Sequence, residues 1–263
     1  MAIHRIKGND KIIADKDKYA YQRGPLVYCA EWPDNPGGHV RNLLLPDSAK
    51  LLAEFRPDLL NGLTVIKSRS MALSFDAEGR VVKDEQDFTA IPYYAWANRG
   101  RGEMIVWIPN NEANARPRPF PTIATTSKVT VSGRGRPRLD PRRINDGEEP
   151  ASSSDSSSYF DWWPTKGSTE WVEYAFEKPA TVSLIEVYWF DDTGRGEVRV
   201  PQSWRLLYKD GDEWKPVENT GPYEVQKDRY NKVSFKPVTA AGLRLEIIMQ
   251  PNWSAGLHEW KVK

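Results

Sequence analysis

Short runs in which apolar and polar residues partly alternate dominate the chain. In the first half, "YAYQRGPLVYCAEW", "GLTVIKSRSMALSF", "FTAIPYYAWANR" and "GEMIVWIP" mix β-branched and aromatic residues at a period near two. That period places every second side chain on the same face of a strand, so each run reads as a half-buried β-strand. The second half repeats the theme in "EWVEYAF", "TVSLIEVYWF", "SWRLLYKDG", "NKVSFKPV", "AGLRLEIIMQ" and "HEWKVK". "YKDGDEW" sets Asp-Gly between two such runs, a local hairpin signal. One stretch departs from the pattern. "PDSAKLLAEFRPDLLNG" (46–62) predicts a short helix capped by Asp47 or Ser48, with Leu51, Leu52 and Phe55 on one face and Pro57 and Gly62 limiting it. Many short strands between turns predict an all-β protein of sandwich or jelly-roll type.

The pattern breaks at "PNNEANARPRPFPT" (109–122), where prolines and polar residues read as a semi-rigid linker. The expectation is therefore two β-sandwich domains in tandem, over residues 1–120 and 121–263, with no internal repeat. A chain of 263 residues supplies enough surface for two such cores.

Composition narrows the functional classes. A net charge of +1 gives no global field to attract nucleic acid or anionic lipid. No apolar run approaches the roughly 18–20 residues that span a bilayer. "MAIHRIKGND" has no apolar core of signal-peptide type, so the compartment stays open between the cytoplasm and export with a removed signal. A secreted or periplasmic location follows only if a longer parent protein is exported. "RGRPRLDPRR" (134–143) could suggest a nucleic-acid clamp, but "NDGEE" follows at once and a solvated loop is the expected reading. "ASSSDSSS" (151–158) reads as a flexible surface loop. The single cysteine, Cys29, excludes an internal disulfide and any cysteine-rich metal cluster; within "GPLVYCAEW" it is expected to be buried and inert. Eleven tryptophans beside eleven tyrosines fit a protein that presents flat faces to ring-shaped ligands.

Two longer stretches resemble known families. "YAYQRGPLVYCAEWPDNPG" with "IPYYAWANRGRGEMIVWIP" resembles the β-sandwich region that follows the catalytic barrel of glycoside hydrolase family 127, the β-L-arabinofuranosidase-like enzymes. "RINDGEEP", "WVEYAFEKPATVSLIEVYWF", "PQSWRLLYKDGDEWKPV" and "GLRLEIIMQPNWSAGLHEWKV", in that order, resemble the discoidin or coagulation-factor 5/8 C-terminal fold, to which carbohydrate-binding module family 32 belongs. The first resemblance implies a parent enzyme with a helical toroid, a cysteine nucleophile and a zinc held by further cysteines. One cysteine cannot supply both nucleophile and zinc thiolates. The chain is thus expected to be a non-catalytic part of such an enzyme, with the missing catalytic domain as its partner in cis. The second resemblance implies sugar binding by loops at one end of the barrel, with a plant cell-wall polysaccharide of hemicellulose or pectin type as the ligand. The alternative is a purely structural appendage that stabilises the toroid.

On that resemblance three loops become candidates. In "SSYFDWWPTKG", Trp162 and Trp163 are stacking residues with Tyr159 as a second platform; alternation on an extended backbone predicts one tryptophan buried and one exposed. In "FDDTGRGEVRVPQSW", Asp191, Asp192, Arg195 and Arg199 could read sugar hydroxyls or a uronate, or merely pair with each other. In "QPNWSAGLHEW", Trp253 is expected exposed and His258 structural. The resemblance further implies one structural calcium ion, Ca2+, on Asp146 and Glu259 with backbone carbonyls, and no organic cofactor.

Overall fold

The computed structural model describes residues 1–100, 102–133 and 139–263, so residues 134–138 of the arginine-rich segment lie outside the described residues. The chain divides into two compact units, Met1–Phe120 and Pro121–Lys263. Each is a β-sandwich of almost wholly antiparallel strands.

The first unit contains β1 (Ile3–Lys7), β2 (Lys18–Arg23), β3 (Leu26–Glu31), β4 (Leu43–Leu44), β5 (Leu52–Arg56), β6 (Leu63–Phe75), β7 (Val81–Pro92), β8 (Met104–Ile105) and β9 (Ile108–Pro109). They run in the order β1-β2-β3-β7-β6-β4, with β5 on β6, β8 on β3 and β9 on β2. The β6–β7 hairpin is paired from Ile66↔Ala90 to Phe75↔Val81. Tyr21, Tyr28, Leu43, Leu45, Ile66 and Phe88 form the main core. Burial of each such side chain is worth about 1.5–3 kcal/mol. Cys29 lies in a smaller cluster with Val65 and Ile91. Burial, and then the charge of Glu31, push its thiol up to about 12, so it is inert at neutral pH. Arg99 donates to buried Glu31 and to Asp34, and Glu31 also accepts the Ala97 N–H at 3.1 Å. These bonds lock the loop after β7 onto the end of β3.

The helix expected over 46–62 does not form. Residues 52–56 are β5, paired with β6 from Leu52↔Lys67 to Arg56↔Leu63, and Leu52 and Phe55 point to solvent. A helix of so few residues is marginal in isolation, while an available strand edge satisfies the same backbone groups at once.

The second unit contains the short helix α1 (Ile123–Thr126), capped by Thr122, and β10 (Lys128–Val131), β11 (Phe160–Asp161), β12 (Thr169–Phe190), β13 (Val198–Arg199), β14 (Ser203–Asp210), β15 (Glu213–Pro216), β16 (Tyr230–Ile248) and β17 (Ser254–Val262). β12 and β16 are long and pair along most of their length, with irregularities between Ala175 and Ala180 and between Val182 and Leu184. The early half of β12 also pairs with β10, and the late half with β17. Each half therefore serves a different layer, and the two layers enclose Trp189, Trp204, Trp260, Tyr174 and their aliphatic neighbours. Tyr174 stacks on Trp260 at 4.0 Å and its hydroxyl lies 3.0 Å from the carbonyls of Ile144 and Trp260. The hairpin expected at "YKDGDEW" is present, closed by Asp210↔Glu213 around Gly211 and Asp212. Among the described residues no helix is long and apolar enough to cross a membrane.

Candidate functional site

The three loops singled out in the sequence meet at one end of the second unit. Short bonds between backbones hold them there. The Trp162 N–H donates to Ala255 O at 3.2 Å, Gly167 N–H to Trp253 O at 3.2 Å, and Ser254 N–H to Glu197 O at 3.0 Å. β13 runs parallel to the start of β17, pairing Val198 with Ser254 and Arg199 with Ala255.

The two adjacent tryptophans point opposite ways. Trp162 is 6% exposed, meets Phe160 edge-on at 5.1 Å and donates its indole N–H to Ser132 O at 3.0 Å. It is a core residue, not a stacking platform. Trp163 is 42% exposed. Its backbone N–H donates to Asp161 at 3.1 Å and its indole N–H to Glu197 at 3.1 Å. Lys166 donates to the other oxygen of Glu197 at 2.6 Å. The Lys166 ammonium, and then the Trp163 indole, hold the Glu197 carboxyl below its ordinary range. Trp163, Lys166 and Glu197 thus form one exposed polar-aromatic group. Lys166 and Glu197 were not singled out in the sequence; each is an ordinary loop charge until the strand pairing brings them together.

The other sequence candidates are more constrained. Tyr159 stacks on Phe190 at 3.8 Å, so one face of its ring is used in packing. Trp253, expected exposed, is half-buried, and the Arg199 guanidinium covers its ring at 3.9 Å. Arg199 also donates to Asp192 at 3.1 Å and to Gly196 O at 3.0 Å. Asp192 accepts the Val198 N–H at 2.8 Å. Asp191 is buried; it accepts from Thr193 and Val200 and pairs with Lys227 at 2.8 Å. Burial alone would raise its carboxyl, but Lys227 and the Thr193 donors outweigh that and hold it low. Arg195 donates to Ser154 O. These four charged residues shape the loop from within.

The serine run is not a free loop. Ser153 is buried, exchanges hydrogen bonds with Asp228 and accepts the Asp191 N–H at 2.8 Å. His258 is buried with its two ring nitrogens 2.7 Å from Ser158 O and 3.1 Å from Ser153 O. Serine-rich composition signals polarity, and here that polarity is spent on anchoring.

The acidic pair lies beside this anchor. Glu259 is 1% exposed and accepts the Gly147 N–H at 3.2 Å. Asp146 accepts from Glu148 N–H at 2.9 Å and from the Ser158 hydroxyl at 2.6 Å. Gly147 has φ of 74°, which lets the backbone turn its N–H onto Glu259. Burial, and then the charge of Asp146, push the Glu259 carboxyl well above its ordinary range. A hard cation would relieve both causes, and the donor type suits calcium. No group of three or more acidic, histidine or cysteine side chains suited to a metal occurs among the described residues. Further ligands would have to be carbonyls or water.

A model of the F5/8 type C domain matches residues 124–259, more than half of the chain. The chain belongs to that family. Its F5/8 type C domain follows a second matched segment, residues 3–109, described by the C-terminal domain of glycoside hydrolase family 127. Over 119 residues the chain is 34% identical to a non-reducing end β-L-arabinofuranosidase of Bifidobacterium longum subsp. longum, covering 41% of this chain and 18% of that enzyme. A solved family 127 β-L-arabinofuranosidase from Geobacillus stearothermophilus T6 is 42% identical, over 41% of this chain and 18% of its own, with a TM-score of 0.39. Another solved family 127 β-arabinofuranosidase is 40% identical, over 46% of this chain and 19% of its own, with a TM-score of 0.43. The chain spans less than a fifth of the length of these relatives.

Proposed function

We propose that the chain is the non-catalytic, carbohydrate-binding portion of a longer plant-polysaccharide-degrading glycoside hydrolase, and that its F5/8 type C domain holds hemicellulose or pectin-type glycans. The observation that carries this reading is Trp163, an exposed indole fixed by Glu197 where three loops meet. One face of a sugar ring consists of C–H groups, and laying it on an indole removes apolar area from water at about 25 cal/mol per Å². Glu197 and Lys166, bonded to each other, stand beside the ring to accept from and donate to sugar hydroxyls. Trp253 and Arg199 form the next surface along, with Tyr159, Asp191, Asp192 and Arg195 supporting the loops. Asp146 and Glu259 are the residues that would hold a structural calcium, tying the 146–148 turn to β17.

A single stacked ring binds weakly, and polymers strengthen the hold through repeated engagement. Affinity electrophoresis against soluble plant polysaccharides tests the reading. Trp163→Ala should abolish retardation while changing stability by no more than about 0.5 kcal/mol, whereas Trp162→Ala should cost about 3–5 kcal/mol. The polysaccharide should be recovered at its original length. Undiminished retention by a folded Trp163→Ala chain sinks the proposal.

A second reading applies to the first unit. Tyr93, Tyr94 and Trp96 are all exposed, Tyr93 stacks on Trp96 at 5.8 Å, and the Glu31–Arg99–Asp34 contacts fix their loop. An ordered aromatic surface of this kind suits docking against a catalytic domain in cis, which such a unit would stabilise.

A further inference from the structure

A cavity of about 300 Å³ opens in the first unit beside β2, β8 and β9. The fold assembles its lining from separate segments. Lys18 opens β2, where it pairs with Pro109 of β9. The turn before β2 is closed by the Lys18 N–H to Asp15 O at 3.2 Å, and the Lys18 ammonium reaches back to Ala14 O at 2.7 Å. Arg41 is placed by Glu103, which accepts the backbone N–H groups of Val40 and Arg41 at 2.8 and 3.2 Å. Trp107 follows β8, and Arg116 comes from the segment after β9.

The lining therefore combines three cations, Lys18, Arg41 and Arg116, with one carboxylate, Asp15, and an apolar wall that includes Ile105 and Trp107. Burial, and then the neighbouring charge of Arg116, hold the Lys18 ammonium below its ordinary range, with Asp15 opposing them. An incoming anion would offset the repulsion between Lys18 and Arg116. The volume sits at the lower end of small-molecule sites, more than an isolated carboxylate needs and suited to one ring. A guanidinium grips a carboxylate through paired hydrogen bonds, and the indole supplies apolar surface for the ring that carries it.

We propose that this cavity binds an acidic sugar, a uronate, with its carboxylate among Arg41, Arg116 and Lys18 and its ring against Trp107. The site lies in the first unit, apart from the glycan surface proposed for the second, and stands or falls separately from it.

The test is NMR titration of the full chain with galacturonate, galactose and inorganic phosphate in parallel, following the Trp107 indole N–H. Galacturonate should shift that resonance saturably and more weakly at high salt, and galactose should leave it in place. Arg41→Gln, an exposed change that should keep the fold, should weaken galacturonate by about tenfold, and Trp163→Ala should leave it unaltered. The proposal is overturned if galactose binds as well as galacturonate, or if folded Arg41→Gln and Arg116→Gln chains bind galacturonate as the wild type does. It is equally overturned if phosphate binds as tightly as galacturonate, or if galacturonate never reaches saturation.

Discussion

Glu103 takes three donors at once: His39 Nδ1 at 3.0 Å and the N–H groups of Val40 and Arg41. Burial alone would raise its carboxyl, but these donors outweigh burial and bring it down to about 2. The unfolded value is near 4.3. A depressed carboxyl contributes stability that is complete above the unfolded value and is lost as pH falls through the folded one. With the side chain still partly open to water, about 1–2 kcal/mol is expected. Glu103→Gln should lower calorimetric stability by that amount at neutral pH, and its deficit should shrink below about pH 4 and close only as pH falls through about 2. A deficit that stays constant across that range would assign the effect to packing. At this scale the sequence was legible where backbone parity decides the outcome. Trp162 and Trp163 fall on opposite sides because successive residues of an extended chain must. Trp253 was less legible, because the guanidinium that covers it comes from Arg199, fifty-four positions earlier in the chain.

Strands were the most legible elements, since alternation over several residues has few other solutions. The run at 46–62 shows the limit: Leu51, Leu52 and Phe55 suit a helical face, but the open edge of β6 decided the matter, and no local pattern reports an edge. The same blindness hid Lys166 and Glu197, whose meeting depends on the parallel pairing of β13 with β17. Between β11 and β12, Gly167 has φ of 63° and a Cβ there would stand 2.5 Å from Pro251 O. Gly167→Ala should therefore cost about 1–3 kcal/mol and loosen the turn that carries Trp163 and Lys166. Melting curves and polysaccharide gels should move together. An alanine variant that melts and binds like the wild type would show that the turn yields to a methyl group at no cost.

For the whole molecule, the separation of two sandwiches follows from a chain whose apolar pattern is interrupted near residue 120, and each unit closes its own core. A calcium ion on Asp146 and Glu259 would tie together residues 113 positions apart in the chain. A ligand that binds only the folded state adds roughly 2.7 kcal/mol at a hundredfold excess over its dissociation constant. Chelation should thus lower the melting temperature of the second unit and leave the first unchanged; a melting profile indifferent to both chelator and added calcium removes the metal from the account. The loops at the tip of the second unit are bonded to one another through Gly167, Glu197, Trp253 and Ala255. An insertion in any one of them would drag the others out of register. Diversity at this end should arise by exchange of side chains on loops of constant length, so that new ligand preferences are acquired one ring or one charge at a time.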